Sequence, residues 1–118
     1  MSTPSQPQFT IHVIDTGDSV LLAACGELDV HTAPGLDRAL TPLHTRRCEL
    51  DLFDVPFADS SGINLLIRHQ RRAAAAGGSL HVIAVSRPVR RVLDISGTSH
   101  CLLLDAGKPP PETGPGPS

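Results

Sequence analysis

Residues 48–85 read CELDLFDVPFADSSGINLLIRHQRRAAAAGGSLHVIAV, a strand, a helix and a second strand in one stretch. Cys48, Leu50 and Leu52 alternate with Glu49 and Asp51, the period of two expected of a strand with one buried face. From about Ser60 to Ala76 the step changes: Ile63, Leu66, Ile67 and Gln70 fall on one side of a helix and Arg68, Arg71 and Arg72 toward another. Gly77-Gly78 supplies the stop. Leu80 to Val85 is apolar throughout except for His81, as a buried strand would be. Strands alternating with helices imply a parallel pairing covered by helices, so the fold class is α/β.

Working outward, Phe9 to Asp15 and Ser19 to Cys25 are β-type runs separated by Thr16-Gly17-Asp18, which suits a hairpin of antiparallel neighbours. Thr32 is placed to cap a helix with Ala33 and Pro34 in its first turn. Leu36, Ala39, Leu40 and Leu43 then recur on one face, and this helix should end near His44. Downstream, Ser86 and Pro88 open a third helix carrying Val89, Val92 and Leu93, with Gly97 as its stop, and Cys101 to Leu104 reads as a last short strand. The expectation is one domain over about residues 9–105, a mixed, mostly parallel sheet of about five strands with helices packed on it. Residues 1–8 read as a flexible N-terminus. From Ala106 the chain turns to Gly, Pro and polar residues, including Pro109-Pro110-Pro111, which bury too little apolar area to offset ordering entropy and read as disordered.

Composition narrows the function classes. A length of 118 residues supports one core, and three Phe with neither Trp nor Tyr leave that core to Leu, Val, Ile and Ala. Few aromatics and a net charge of −2 argue against direct nucleic-acid binding, which needs stacking platforms and a basic field. Cys25, Cys48 and Cys101 are odd in number and set in apolar runs, so they read as reduced core residues. The six His show no i, i+4 pairing and no nearby thiols, so no metal site is indicated. No apolar run approaches a membrane span and the first residues lack a secretory pattern, so a cytoplasmic protein is expected. Arg68, Arg71, Arg72 and Arg87, Arg90, Arg91 form two basic stripes that read as solvated faces.

The chemistry concentrates at Asp59-Ser60-Ser61-Gly62, where strand pattern gives way to helix. A helix start leaves N–H groups unpaired and carries partial positive charge, so a phosphate attached there would be stabilised. No Gly-x-Ser-x-Gly elbow surrounds Ser60, no spacing identifies a base to activate it, and no phosphate-binding Gly-x-x-x-x-Gly-Lys loop is present. Ser60 therefore reads as a phosphorylation switch, and these absences argue against a catalytic serine and against ATP bound by this chain.

The order of apolar strand, Asp59-Ser60-Ser61-Gly62, amphipathic helix, Gly77-Gly78, strand and Ser86-Arg87-Pro88-Val89-Arg90-Arg91-Val92-Leu93 resembles a STAS domain of the anti-sigma factor antagonist type. Gly26-Glu27-Leu28-Asp29 with Thr32-Ala33 and Ile95-Ser96-Gly97 resemble two further segments of that family. The resemblance implies a partner switch in bacterial signalling. Unphosphorylated, the antagonist binds an anti-sigma factor and frees a sigma factor for transcription; a serine kinase, often the anti-sigma factor itself, phosphorylates it and a serine phosphatase reverses the step. By position the acceptor is Ser60, with Ser61 the other hydroxyl available. Glu27, Asp29, Thr32, Asp59, Ser61, Gly62 and Asn64 are the implied partner-binding residues, with Gly62 read as admitting a docking kinase. Asn64 departs from the family, where a small residue is common. No cofactor and no membrane contact are implied. A scaffold STAS domain without a phosphorylation cycle, in a signalling or lipid-transport complex, is the alternative.

Overall fold

The computed structural model describes residues 9–103, so the expectations for residues 1–8 and for the tail from Ala106 lie outside the described residues. β1 (Thr10–Asp15) and β2 (Val20–Cys25) form the expected antiparallel hairpin, Thr10 opposite Cys25 and Asp15 opposite Val20. Its turn is closed by Asp15 Oδ1, which accepts the Gly17 N–H at 2.8 Å. Arg46 donates to both oxygens of Asp15, at 3.0 and 2.8 Å, tying the hairpin to the start of β3 (Arg47–Asp54). That hydrogen bond is the main reason the Asp15 carboxyl is held down at about 2.

α1 (Ala33–Leu40), followed by a 3-10 turn over Thr41–Leu43, carries the chain from β2 to β3. α2 (Ser60–Ala76) carries it to β4 (Ser79–Val85). Both connections return the chain in the same direction, so β2–β3 and β3–β4 are parallel and the sheet runs β1-β2-β3-β4. One sheet face presents Val20, Leu22, Ala24, Cys48, Leu50, Leu52, Leu80 and Val82 to the core. Against it lie Leu36 and Leu40 of α1, Ile63, Leu65, Leu66 and Ala73 of α2, and Val89 and Leu93 of α3 (Arg87–Ser96). Each fully buried leucine contributes about 1.5–3 kcal/mol, and no Phe is among the buried members of this layer, although Phe9 packs against it partly buried.

The helix ends follow from local chemistry. Ser86 Oγ accepts the Val89 N–H at 3.4 Å and donates to the Val55 carbonyl at 2.6 Å, capping α3 while fastening it to the loop before α2. Gly77 closes α2 in the left-handed region (φ 92°), and the Gly78 N–H returns to the Ala73 carbonyl at 2.8 Å.

Two expectations are corrected. The segment expected as a fifth strand is instead α4 (Ser99–Leu102), with Leu103 making a single parallel bridge to Val82, so the mixed sheet has four strands among the described residues. Leu104 lies outside them. A four-residue apolar run can be buried in either conformation, and here the N–H groups of Cys101 and Leu102 turn back to the Thr98 carbonyl at 3.1 and 3.0 Å. Gln70 Nε2 donates to the carbonyls of Leu80 and Cys101 at 3.2 and 2.6 Å, joining through a side chain what a strand would have joined through backbone. The second correction concerns the thiols. All three are free, but only Cys48 is buried, while Cys25 and Cys101 are exposed. Alternation explains Cys25: Val20, Leu22 and Ala24 face inward, so the residue after Ala24 faces out.

Candidate functional site

Leaving β3 at Asp54, the chain runs beside the loop that leaves β2. Gly26 N–H donates to the Asp54 carbonyl (3.2 Å), Leu28 N–H to that of Phe57 (2.9 Å) and Asp59 N–H to that of Leu28 (3.1 Å). Leu28, Val55 and Ala58 are buried beneath this lacing. The start of α2 is therefore positioned by a loop far upstream in sequence.

Asp59 is the N-cap of α2, extended at φ −99° and ψ −176°, and its Oδ1 accepts the Gly62 N–H at 3.1 Å. Its carbonyl accepts the Ile63 N–H at 3.0 Å. A cap of this kind is worth about 1 kcal/mol. Ser60, the first helical residue, is exposed, and Ser61 is half-buried. Among the described residues neither hydroxyl has a hydrogen-bond partner, and the N–H groups of Ser60 and Ser61 are likewise unpaired. A free hydroxyl thus stands at the positive end of a 17-residue helix beside two unused donors.

Gly62 is buried, and a Cβ built on it would lie 2.6 Å from Leu28 Cγ and 2.9 Å from Leu28 Cδ2. The close approach it permits is by this chain's own Leu28, not by a docking kinase. Gly62→Ala should therefore lower stability by about 1–3 kcal/mol, read from the urea midpoint, because a fully buried leucine must move.

Beside this turn lies a groove of about 400 Å³ lined by Val30, Ala33, Pro34 and Asp37 on one side and Ser61, Asn64, Leu65 and Arg68 on the other. Ser61 and Asn64 are thus brought together in it. Glu27, Asp29 and Thr32 are not among its lining residues. Thr32 does not cap α1 with its side chain, as its backbone is already helical (φ −99°, ψ −18°). Its hydroxyl donates to the Glu27 carbonyl at 2.7 Å and accepts the Asp29 N–H at 3.0 Å. Asp29 serves the loop instead, its Oδ1 accepting the N–H groups of His31 and Thr32 at 2.9 and 3.1 Å. Partial burial pushes the Asp29 carboxyl upward, and these donors outweigh it, leaving it below the usual range. Glu27 is exposed. Two apolar side chains near the turn also stand in solvent, Val30 at 60% and Phe57 at 47% exposure.

Sequence reasoning missed one cluster. His69 is 1% exposed, with Nε2 at 2.7 Å from Asp37 Oδ1 and Nδ1 at 2.8 Å from His44 Nε2. Its burial could have been found, because Leu65, His69 and Ala73 repeat at i, i+4, i+8 on the inner face of α2. Its partners could not, since they lie 25 and 32 residues away. No group of three potential ligands able to hold a metal ion occurs among the described residues.

A family model described as "Mlab, STAS domain" matches residues 11–105. The anti-sigma-B factor antagonist of Staphylococcus epidermidis is 28% identical over 102 residues, spanning 84% of this chain and 94% of its own length. That of Staphylococcus aureus (strain NCTC 8325 / PS 47) is 31% identical over 85 residues, spanning 70% of this chain and 79% of its own. Among solved structures, an anti-sigma factor antagonist from Mycobacterium paratuberculosis shares the fold with a TM-score of 0.72 at 24% identity, over 80% of this chain and 83% of that one.

Proposed function

Because this chain belongs to the STAS domain family, we propose that it is a cytoplasmic anti-sigma factor antagonist that binds an anti-sigma factor when unphosphorylated, releases a sigma factor, and is switched off by phosphorylation of Ser60. The observation that carries this reading is the exposed, unpartnered Ser60 hydroxyl at the first position of a capped helix. Ser61 is half-buried and lines the groove, which favours Ser60 as the acceptor.

Phosphorylation adds about −1.5 to −2 charges and three acceptor oxygens at neutral pH. In this turn the new charge joins Asp59. A partner covering the turn would use the apolar surface of Val30 and Phe57 and the groove that holds Ser61 and Asn64, and would have to strip water from that charge. The modified protein itself keeps its fold, because the Ser60 and Ser61 N–H groups and the helix dipole receive the phosphate. Glu27 offers an exposed carboxylate to the same partner, while Asp29, Thr32 and Gly62 support it by shaping the loop. In this reading the chain is not an enzyme: the partner kinase brings ATP, and a serine phosphatase removes the phosphate.

The scaffold alternative requires no reactive hydroxyl, so it gives no role to the free Ser60 side chain. Incubating the full chain with candidate anti-sigma factor kinases and ATP, then mapping phosphate by mass spectrometry, tests the proposal. Phosphate on Ser60, lost in Ser60→Ala, is the expected result; transfer to another residue counts against it.

A further inference from the structure

We propose that Asp37, His69 and His44 form a proton-sensitive latch that positions α1 against α2 and thereby sets the shape of the groove beside Ser60, with His69 and His44 as positioning residues. The importance of the groove for partner binding rests on the reading above; the latch does not.

His69 is the buried polar side chain of the described core, and it is satisfied at both nitrogens. A carboxylate only accepts, so His69 Nε2 carries a hydrogen toward Asp37 Oδ1. The neutral ring then has a lone pair at Nδ1, which accepts from His44 Nε2–H. The two rings lie 5.0 Å apart, tilted by 44°. The chain of hydrogen bonds crosses three elements: Asp37 from α1, His69 from α2, and His44 from the connection into β3. Asp37 is also a wall of the groove, facing the α2 side chains of Ser61, Asn64 and Arg68. Whatever moves Asp37 relative to His69 therefore moves one wall of the groove.

The proton count makes this arrangement a switch. With one added proton every hydrogen bond is kept, because one imidazole of the pair still presents a lone pair to the other. A second, on His69 Nδ1, sets two N–H groups against each other at 2.8 Å, and the latch opens. The charged and titratable groups around His69 are Asp37, His44, Arg72 on its own helix, and the Cys48 thiol of β3, which lines the same small cavity. Burial pushes that thiol up, so it stays neutral. Burial is also the largest influence on His69, lowering it from 6.5; Asp37 opposes this, and His44 and Arg72 add to it. The unfolded chain thus binds protons more readily than the folded one, so the stability the latch contributes is whole above 6.5 and is lost as pH falls below that value. Asp37, held below its ordinary 3.8 chiefly by its hydrogen bond to His69, does not intervene in that range.

The test is nitrogen and amide NMR of the full-length chain titrated from about pH 8 to 5, the range in which imidazoles change charge. His69 should stay a neutral Nε2–H ring at pH values where an exposed imidazole is half protonated. The amides of Ser61, Asn64 and α1 should then shift with the protonation of His69. His69→Gln retains a donor to Asp37 but takes up no proton, and it should abolish that pH dependence; His81→Gln, on the outer face of the sheet, should preserve it. Should His69→Gln fail to fold, His44→Gln removes the outer ring at a half-buried position and should shift the same titration. Groove amides that ignore His69 protonation, or that titrate unchanged in both latch variants, overturn the proposal. No kinase or partner enters the experiment, so a Ser60 that is never phosphorylated would leave its outcome untouched.

Discussion

Replacing Ser60 by Asp is expected to weaken binding to the cognate anti-sigma factor about tenfold or more, while Ser60→Ala binds like the parent. Ser60 is exposed and its hydroxyl is unpartnered among the described residues, so alanine removes nothing the fold uses. A carboxylate there adds charge to a turn that already holds Asp59, and a partner closing over Val30 and Phe57 must desolvate both. A penalty of about 1.4 kcal/mol suffices for the tenfold loss. Titration calorimetry measures the affinities, and thermal unfolding checks that both variants remain folded. Equal affinities for the two variants would remove Ser60 from the switch. Because one carboxylate carries less charge than a phosphoserine, true phosphorylation should have the larger effect.

Gly78→Ala should cost about 3 kcal/mol of stability, which in a domain of this size lowers the melting temperature by more than 10 °C. A Cβ on Gly78 would run into the carbonyl oxygens of His44 and Arg46 and approach the Arg46 nitrogen at 2.8 Å. All three are backbone atoms, so no rotamer change relieves the contact. The Ser79 N–H donates to the Arg46 carbonyl at 3.0 Å, which holds the two segments together at this point. At neighbouring Gly77 a Cβ meets nothing within 4 Å, and alanine there should cost only about 1 kcal/mol for the left-handed backbone. Urea denaturation of both variants checks the contrast; similar losses would refute the steric account. Since His44 is one of the crowded residues, Gly78→Ala should also disturb the hydrogen bond from His44 to His69.

Much of the architecture was legible because its signals are local. Leu50 and Leu52 alternate with Glu49 and Asp51 whatever lies across the sheet, and α2 begins at Ser60 and ends at Ala76 where the Asp59 cap and Gly77 place its limits. Ser86 and Gly97 bound α3 in the same way. Four residues are too few to show a period, so the segment ending in Cys101 and Leu102 read as a strand and folds as a helix. Thr32 has the composition of a cap and the backbone of a helix, and its hydroxyl serves the loop before α1 instead.

Asp59-Ser60-Ser61-Gly62 could be placed at a helix start from the amino acids alone, because a cap, a hydroxyl and the onset of a helical period are properties of neighbouring residues. Why Gly62 must be glycine, where the groove lies, and that a histidine inside the core joins Asp37 to His44 were decided only when distant segments packed. Those features depend on distances between atoms of segments 25 or more residues apart in sequence, and local periodicity carries no record of such distances.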